Sequence, residues 1–373
     1  MFVAFDRRVR VHLGVVTLGG PDRLRRCLES LVAHESEHDF VVSLLVNPLG
    51  VSGEPVPPDV PPGIRVVCPP ANLGWAGGLH RLRALSDAEL FAWVQDDMTP
   101  LPGWLDTLVA AAAAHPQVGM FGAVAQDDCG QVVQHNGGIA QPPERVAGWS
   151  STDDTSRTLP ADVTRLDWVT SRGCLTRIAA FDELGGPDPR LWPLNRVDLD
   201  YCTHLRCHGW DVALVPGARV EHAGSRSAPT AFRTFLLEWR DQWFDERWAS
   251  PAGELRGRTS AVVDHPCADW RTWETDAVET ASGRAATRMV VPLARWNAAR
   301  AAESAELAAA ELAAARSEID TLTSAVAELE GRLRINAGRR RRLRRRLARA
   351  EARLAARSGS GGVWTWMARR LRA

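Results

Sequence analysis

Between Val9 and Asp97 the chain alternates apolar runs with stretches of helical period, and the apolar runs stop at polar residues. Val9 to Thr17 is apolar and β-branched and is followed by Gly19-Gly20-Pro21, which predicts a buried strand and a turn. Asp22 to Ala33 predicts a helix, with Leu24, Cys27, Leu28 and Leu31 on one face and arginines opposite. Phe40 to Val46, Ile64 to Cys68 and Leu90 to Val94 predict further strands, and Gly77 to Leu85 begins another helix. Such alternation specifies an α/β fold: a mostly parallel, Rossmann-like sheet flanked by helices. Ligands of such sheets bind beyond the carboxyl ends of the strands. Thr17, Asn47, Asn72 and Asp97 fall at those ends, which is consistent with one site.

Beyond Val118 the pattern loosens. Val118 to Val124 and Gln131 to Gln134 are strand-like, Ser150 to Pro160 is a loop, and Trp168 to Glu221 is mixed. Ala228 to Trp248 predicts a helix rich in tryptophan and charge. These changes divide the chain into an α/β domain over residues 1–250, a connecting region over 251–296, a helical coiled coil with an arginine-rich segment over 297–357, and a terminal Trp/Arg segment over 358–373.

Composition narrows the setting. Of 373 residues, 45% are hydrophobic and 24% charged, which is ordinary globular composition, and the formal net charge of zero names no partner. The seven cysteines are odd in number and contain no C-x-x-C pair, so the expectation is a reducing, cytoplasmic setting without a disulfide framework or a zinc knuckle. Met1 to Gly14 carries Asp6, Arg7, Arg8 and Arg10 without a long apolar run, so no signal peptide is expected. No run approaches the about 18 apolar residues that a spanning helix needs.

Four clusters carry chemistry. Gln95-Asp96-Asp97, at a strand end, places two hard oxygen donors where a Mg²⁺ or Mn²⁺ ion and a diphosphate can meet; the same pair also suits a turn with solvated acids. Asn72-Leu-Gly74-Trp-Ala-Gly77-Gly78 offers glycines that let backbone approach a ligand or another strand. In Asp198-Leu-Asp200, one carboxylate can take a proton from an acceptor hydroxyl, or both can cap a helix. His222 follows an apolar run and suits either a metal or a structural hydrogen bond.

The order of these clusters resembles family 2 glycosyltransferases of the GT-A fold, especially the bacterial branch with rhamnosyl- and galactofuranosyltransferase-like enzymes. The resemblance runs from about Val9 to Trp248. It rests on Val15-Val-Thr17 with its arginine-rich helix, the N-x-G-x-A-G-G turn from Asn72 to Gly78, Asp96-Asp97 with Pro100, Asp167 to Arg177, Gly185-Gly186-Pro187-Asp188, Asp198 to Cys202, Gly209-Trp210 and His222. It implies a nucleotide-diphospho-sugar donor, an inverting transfer to a cell-surface glycan or lipid-linked acceptor, and a Mn²⁺ or Mg²⁺ cofactor. It implies Asp97 and His222 as metal ligands with Asp96 beside them, Asp198 as the base and Asp200 as its support. Thr17, Asn47, Asn72, Gly74, Gly77 and Gly78 would line the nucleotide pocket, with Trp168 and Arg177 on the acceptor side. Three positions depart from the family pattern: Leu18-Gly19 after the first strand, Val46 before Asn47, and Gln95 where a third acid is common. The alternative is a catalytically weakened, glycosyltransferase-like scaffold that acts through its coiled coil.

The tail supplies that coil. Ala301, Ala305, Ala308, Leu312, Ala315, Ile319, Leu322, Val326, Leu329 and Leu333 follow one another at alternating steps of four and three. Asn336 and Arg340 interrupt the seam, which resumes at Leu343, Leu347, Ala350 and Leu354. The spacing predicts a homodimer, parallel by preference. Arg339 to Arg349 holds eight arginines and no acid. It suits peripheral contact with an anionic membrane at the inner face of the cell; nucleic acid is the rival polyanion, and it leaves the N-terminal clusters unused.

Overall fold

In a computed structural model, the residues described are 9–17, 21–48, 59–127, 129, 130, 132, 137–141, 145–148, 159–222, 232, 234–240, 244, 247, 248 and 275–357. The expected strand at Gln131 to Gln134, the loop at Ser150 to Pro160 and the segment 358–373 lie wholly or mostly outside them. The chain divides into two compact units, Met1–Ala294 and Arg295–Ala373.

The first unit is built on a nine-stranded sheet. Strands β1 (Arg10–Thr17), β2 (Asp39–Val46), β3 (Arg65–Val67) and β4 (Leu90–Gln95) form its parallel half in the order β3-β2-β1-β4. Helices α1 (Pro21–Val32) and α2 (Gly74–Arg83) make the connections. The order reverses beside β1, and the carboxyl ends of the strands at such a switch point are the usual ligand position in these sheets.

The other half is mixed. After β5 (Met98–Pro100) and α3 (Trp104–Ala114), β6 (Val118–Gln126) enters the sheet. A small sheet holds β7 (Gly137–Gln141), β8 (Arg145–Gly148) and β10 (Trp168–Val169), while β9 (Thr164–Leu166) pairs with the last strand. Strand β11 (Cys174–Arg177) inserts antiparallel between β4 and β6. Helices α4 (Ile178–Leu184) and α5 (Val197–Cys207) lead to β12 (Asp211–His222), which runs parallel to β6 and antiparallel to β5.

Side-chain alternation fills both faces of the sheet. Val11, Leu13 and Val15 of β1 pack with Ala92 and Val94 of β4 and with Leu24, Cys27, Leu28 and Leu31 of α1. Phe91 and Trp93 point to the opposite cluster, where Leu79 and Leu82 of α2 meet Phe181 and Tyr201. That period-two alternation fixes the register, because a one-residue slip would expose every buried group.

Helix α6 spans Thr275–Arg357, with Pro292 inside it. Its first turns belong to the first unit and contribute buried Val278, Ser282, Ala286 and Met289. The helix therefore begins well before residue 297, in a stretch whose periodicity is weakened by Gly283 and Pro292.

Candidate active site at the carboxyl ends of β1, β4 and β12

Register brings the acids together. Val16 of β1 lies beside Gln95 of β4, so Thr17 stands level with Asp96. Thr17 Oγ1 donates to Asp96 Oδ2 at 2.5 Å. His222, the last residue of β12, pairs with Met98 of β5, one residue past Asp97. Its Nε2 lies 3.3 Å from Asp97 Oδ1, and both side chains are at least 95% buried. Residues 125 apart in sequence thus meet because β5 leaves the aspartate turn and runs directly along β12.

The two neighbouring carboxylates have opposite electrostatics. Burial pushes Asp96 up, and neighbouring Asp97 adds to this, against the Thr17 hydrogen bond. Burial also pulls Asp97 up, but the hydrogen bond and charge of His222, then Arg23, outweigh it and hold Asp97 low. Arg23, on α1, lies within electrostatic reach of both acids. Its Nη1 is buried and has no hydrogen-bond partner among the described residues. Sequence reading counted Arg23 only among the arginines of the polar helix face, and no local pattern distinguishes it from Arg25 or Arg26.

Asp198 reaches the same strand end. At the start of α5 it accepts from Ser171 N through Oδ2 at 3.1 Å and from Leu199 N through Oδ1 at 3.0 Å. Gln95 Nε2 donates to Ser171 Oγ at 3.2 Å. Ser171, absent from the sequence candidates, therefore links the aspartate motif to Asp198.

Other candidates stand elsewhere. Asp200 faces away from Asp198's partners: it is fully buried, and its Oδ1 accepts from Trp248 Nε1 at 2.5 Å, with Arg247 Nη1 at 3.7 Å. Helical geometry explains this, since residues two apart project in different directions. Arg177 sits opposite Leu90, at the start of β4, whereas the acids lie at its end about 20 Å away at strand rise. Its guanidinium donates to the carbonyls of Val118, Ala112 and His115, so it ties α3 to β6 instead of meeting an acceptor. Trp168 is packed in the core.

The asparagines and glycines also serve the fold. Asn47 Oδ1 accepts from Leu73 N at 2.9 Å and its Nδ2 donates to Gly74 O at 3.3 Å. Asn72 Oδ1 accepts from Gly74 N at 2.8 Å and its Nδ2 donates to Pro48 O at 3.1 Å. A Cβ on Gly74 would lie 2.8 Å from Pro193 O, on Gly77 2.7 Å from Ser282 Oγ, and on Gly78 2.8 Å from Val16 Cγ1. Close packing inside the chain accounts for all three glycines.

Among the described residues no three His, Cys, Asp or Glu side chains gather in a metal-binding group. The Asp97–His222 pair nevertheless supplies one carboxylate and one imidazole, a donor set suited to Mn²⁺, with ligand oxygens and water left to complete the shell.

The family model described as glycosyltransferase-like family 2 matches residues 9–240, more than half of the chain and all of the strands above. The chain belongs to that family. Within the family, it is 26% identical over 191 residues to the N-acetylglucosaminyl-diphospho-decaprenol L-rhamnosyltransferase of two Mycobacterium tuberculosis strains. The match covers 44% of this chain and 61% of those relatives, so it spans about three fifths of their length. Among solved structures, the chain is similar to the mannosyltransferase PcManGT from Pyrobaculum calidifontis in complex with GDP-Man and Mn²⁺, at 13% identity and a TM-score of 0.45, covering 80% of this chain and 81% of that one. It is also similar to GalNAc-T7 with UDP, GalNAc and Mn²⁺, at 14% identity and a TM-score of 0.45, covering 65% and 51%.

Proposed function

We propose that this family 2 member transfers a sugar, with inversion, from a nucleotide-diphospho-sugar to a hydroxyl of a glycan or lipid-linked acceptor. The observation that carries this reading is the meeting of Asp97 and His222 beside Asp96, Thr17 and Arg23, with Asp198 tied to the same strand end. Asp97 and His222 would hold a Mn²⁺ or Mg²⁺ ion, which would supply Lewis-acid neutralisation of the leaving diphosphate. Arg23, whose buried Nη1 has no partner among the described residues, binds a phosphate oxygen. Thr17 holds Asp96 in one orientation. Asp198 accepts the proton of the acceptor hydroxyl as its oxygen attacks the anomeric carbon from the face opposite the departing diphosphate.

The rhamnosyl transfer to a decaprenol-linked sugar named for the mycobacterial relatives supports a lipid-linked acceptor and a deoxyhexose donor for this chain. No helix among the described residues is long and apolar enough to cross a membrane. The arginines from Arg339 to Arg349 are the proposed contact with the anionic membrane that would carry a lipid-linked acceptor.

The test is donor turnover with Mn²⁺, alongside nucleotide-diphosphate stabilisation measured by thermal shift. Asp97→Ala is expected to lose turnover at least about 100-fold, together with the metal-dependent part of the shift. Asp198→Asn is expected to lose transfer while the shift persists. A nucleotide diphosphate that stabilises the chain without turnover of any donor would favour the scaffold alternative, and the absence of both overturns the reading.

A further inference from the structure

We infer that two copies of the chain pair in parallel through α6 between Leu312 and Leu333, and that pairing stops where arginine enters the seam. The second unit is helical from 295 to 357 and leaves large apolar side chains in water. Leu329 is 57% exposed and Leu333 67%, and the two stand four residues apart on one stripe of a heptad seam. A lone helix has no core of its own against which to bury such a stripe.

The composition of the seam selects its occupant. With Leu333 at position a, the sequence places Ile319 and Val326 also at a, and Leu322 and Leu329 at d. β-Branched residues at the two central a positions, each followed by leucine at d, favour two parallel strands. An antiparallel pair would set a against d and mix the two shapes. Charge in the sequence register points the same way: Glu311 falls at g and Arg316 at the e position of the next heptad, opposite signs at the two positions that flank a parallel seam. A partner of different sequence would have to reproduce both patterns, whereas a second copy carries them already.

The end of the pairing is set by charge too. Glu328 and Glu330 hold Arg332 and Arg334 along their own helix, at 2.7 and 3.9 Å. From 339 to 357 Glu351 is the only acid. Arg340 occupies an a position, and Arg339 at g would face Arg344 at e of the copy. Like charges across the seam therefore stop the coil near Asn336 and leave two arginine-rich helix ends side by side but unpaired.

The full chain should show twice its monomer mass by light scattering across the micromolar range. Leu329→Glu combined with Leu333→Glu should raise the concentration needed for association more than tenfold while leaving donor turnover unchanged, since neither residue lies in the first unit. Oxidation of Leu329→Cys should link two chains, read against the unsubstituted protein, because parallel pairing sets d beside d. The same replacement at Leu343 should link them far less. A monomer at every concentration overturns the inference, as does a dimer that survives the double glutamate variant. Failure of Leu329→Cys to link overturns the parallel orientation. Turnover is measured in the same samples, so none of these outcomes depends on the sugar-transfer reading.

Discussion

Gln95 ends β4 one residue before the paired aspartates, and its amide can donate where a carboxylate could only accept. It gives its Nε2 hydrogen to Ser171 Oγ, and Ser171 N in turn holds Asp198 Oδ2. Loss of one such hydrogen bond typically costs about 1 kcal/mol, or about fivefold in rate when it acts on the transition state. Gln95→Ala should therefore lower kcat roughly fivefold with the donor KM unchanged, and Gln95→Asn should recover part of the loss. Steady-state kinetics read the split; a raised KM at constant kcat would make Gln95 a donor contact instead. Asp200 gives a second test at this scale. Burial is the largest influence on it and pushes its carboxyl up to about 6, against the pull of Arg247. A folded-state value above the unfolded one means that the folded chain keeps a proton the unfolded chain releases near pH 4. Stability from this group is full below about pH 4 and is lost as pH rises towards about 6. Asp200→Asn keeps an acceptor for Trp248 without the charge. Its melting temperature relative to the parent should therefore rise between pH 4 and pH 7, by the equivalent of up to about 3 kcal/mol, and a difference that stays flat with pH would refute the assignment.

At the scale of elements, the turn that starts α2 joins three parts of the site domain. Gly74 has φ +66°, a left-handed conformation, and its position leaves no room for a Cβ against Pro193 O. Trp75 N donates to that carbonyl at 2.7 Å, and Trp192 Nε1 donates to Asn72 O at 2.8 Å. The same turn therefore fixes the segment that leads into α5 and Asp198. Gly74→Ala combines backbone strain with a clash against main chain. It should destabilise the chain by about 2 kcal/mol or more in chemical denaturation and lower activity as α5 shifts. The elements that sequence reading found share one property: β1, α1, β2 and β4 each carry their own periodicity and end in turn residues. Helix α3 was missed because alanines and apolar residues surround it on most sides, leaving no polar stripe to mark its period. Strand β11 pairs antiparallel between β4 and β6, a non-local choice that no window of sequence contains. That direction is why Arg177, beside a site motif in sequence, falls at the wrong end of the sheet. Asp97 and His222 each stood out singly in the sequence, whereas their contact depends on the pairing of β5 with β12.

At the scale of the whole molecule, the arginine run carries the proposal of contact with an anionic membrane. Residues 339–350 are exposed on every face of the helix, and eight of the eleven residues from Arg339 to Arg349 are arginine. An arginine near an anionic bilayer contributes about 1 kcal/mol, so three engaged at once raise the partition more than about 100-fold. Leu343 and Leu347, both more than 60% exposed, lie among these arginines and give the segment an apolar edge that a lipid interface can bury and a nucleic acid has no use for. Pairing through the preceding heptads would double the charge presented to one surface, so membrane contact should weaken when the coil is broken even though no arginine is changed. Sedimentation with vesicles separates these ideas. The full chain should pellet with anionic vesicles, remain in solution with neutral ones and be released by salt. A chain truncated after Gly338 should stay in solution throughout, and the Leu329→Glu, Leu333→Glu variant should pellet less than its parent. Equal pelleting of full and truncated chains ends the membrane assignment, and retention by duplex DNA in preference to anionic vesicles would transfer the arginine run to nucleic acid.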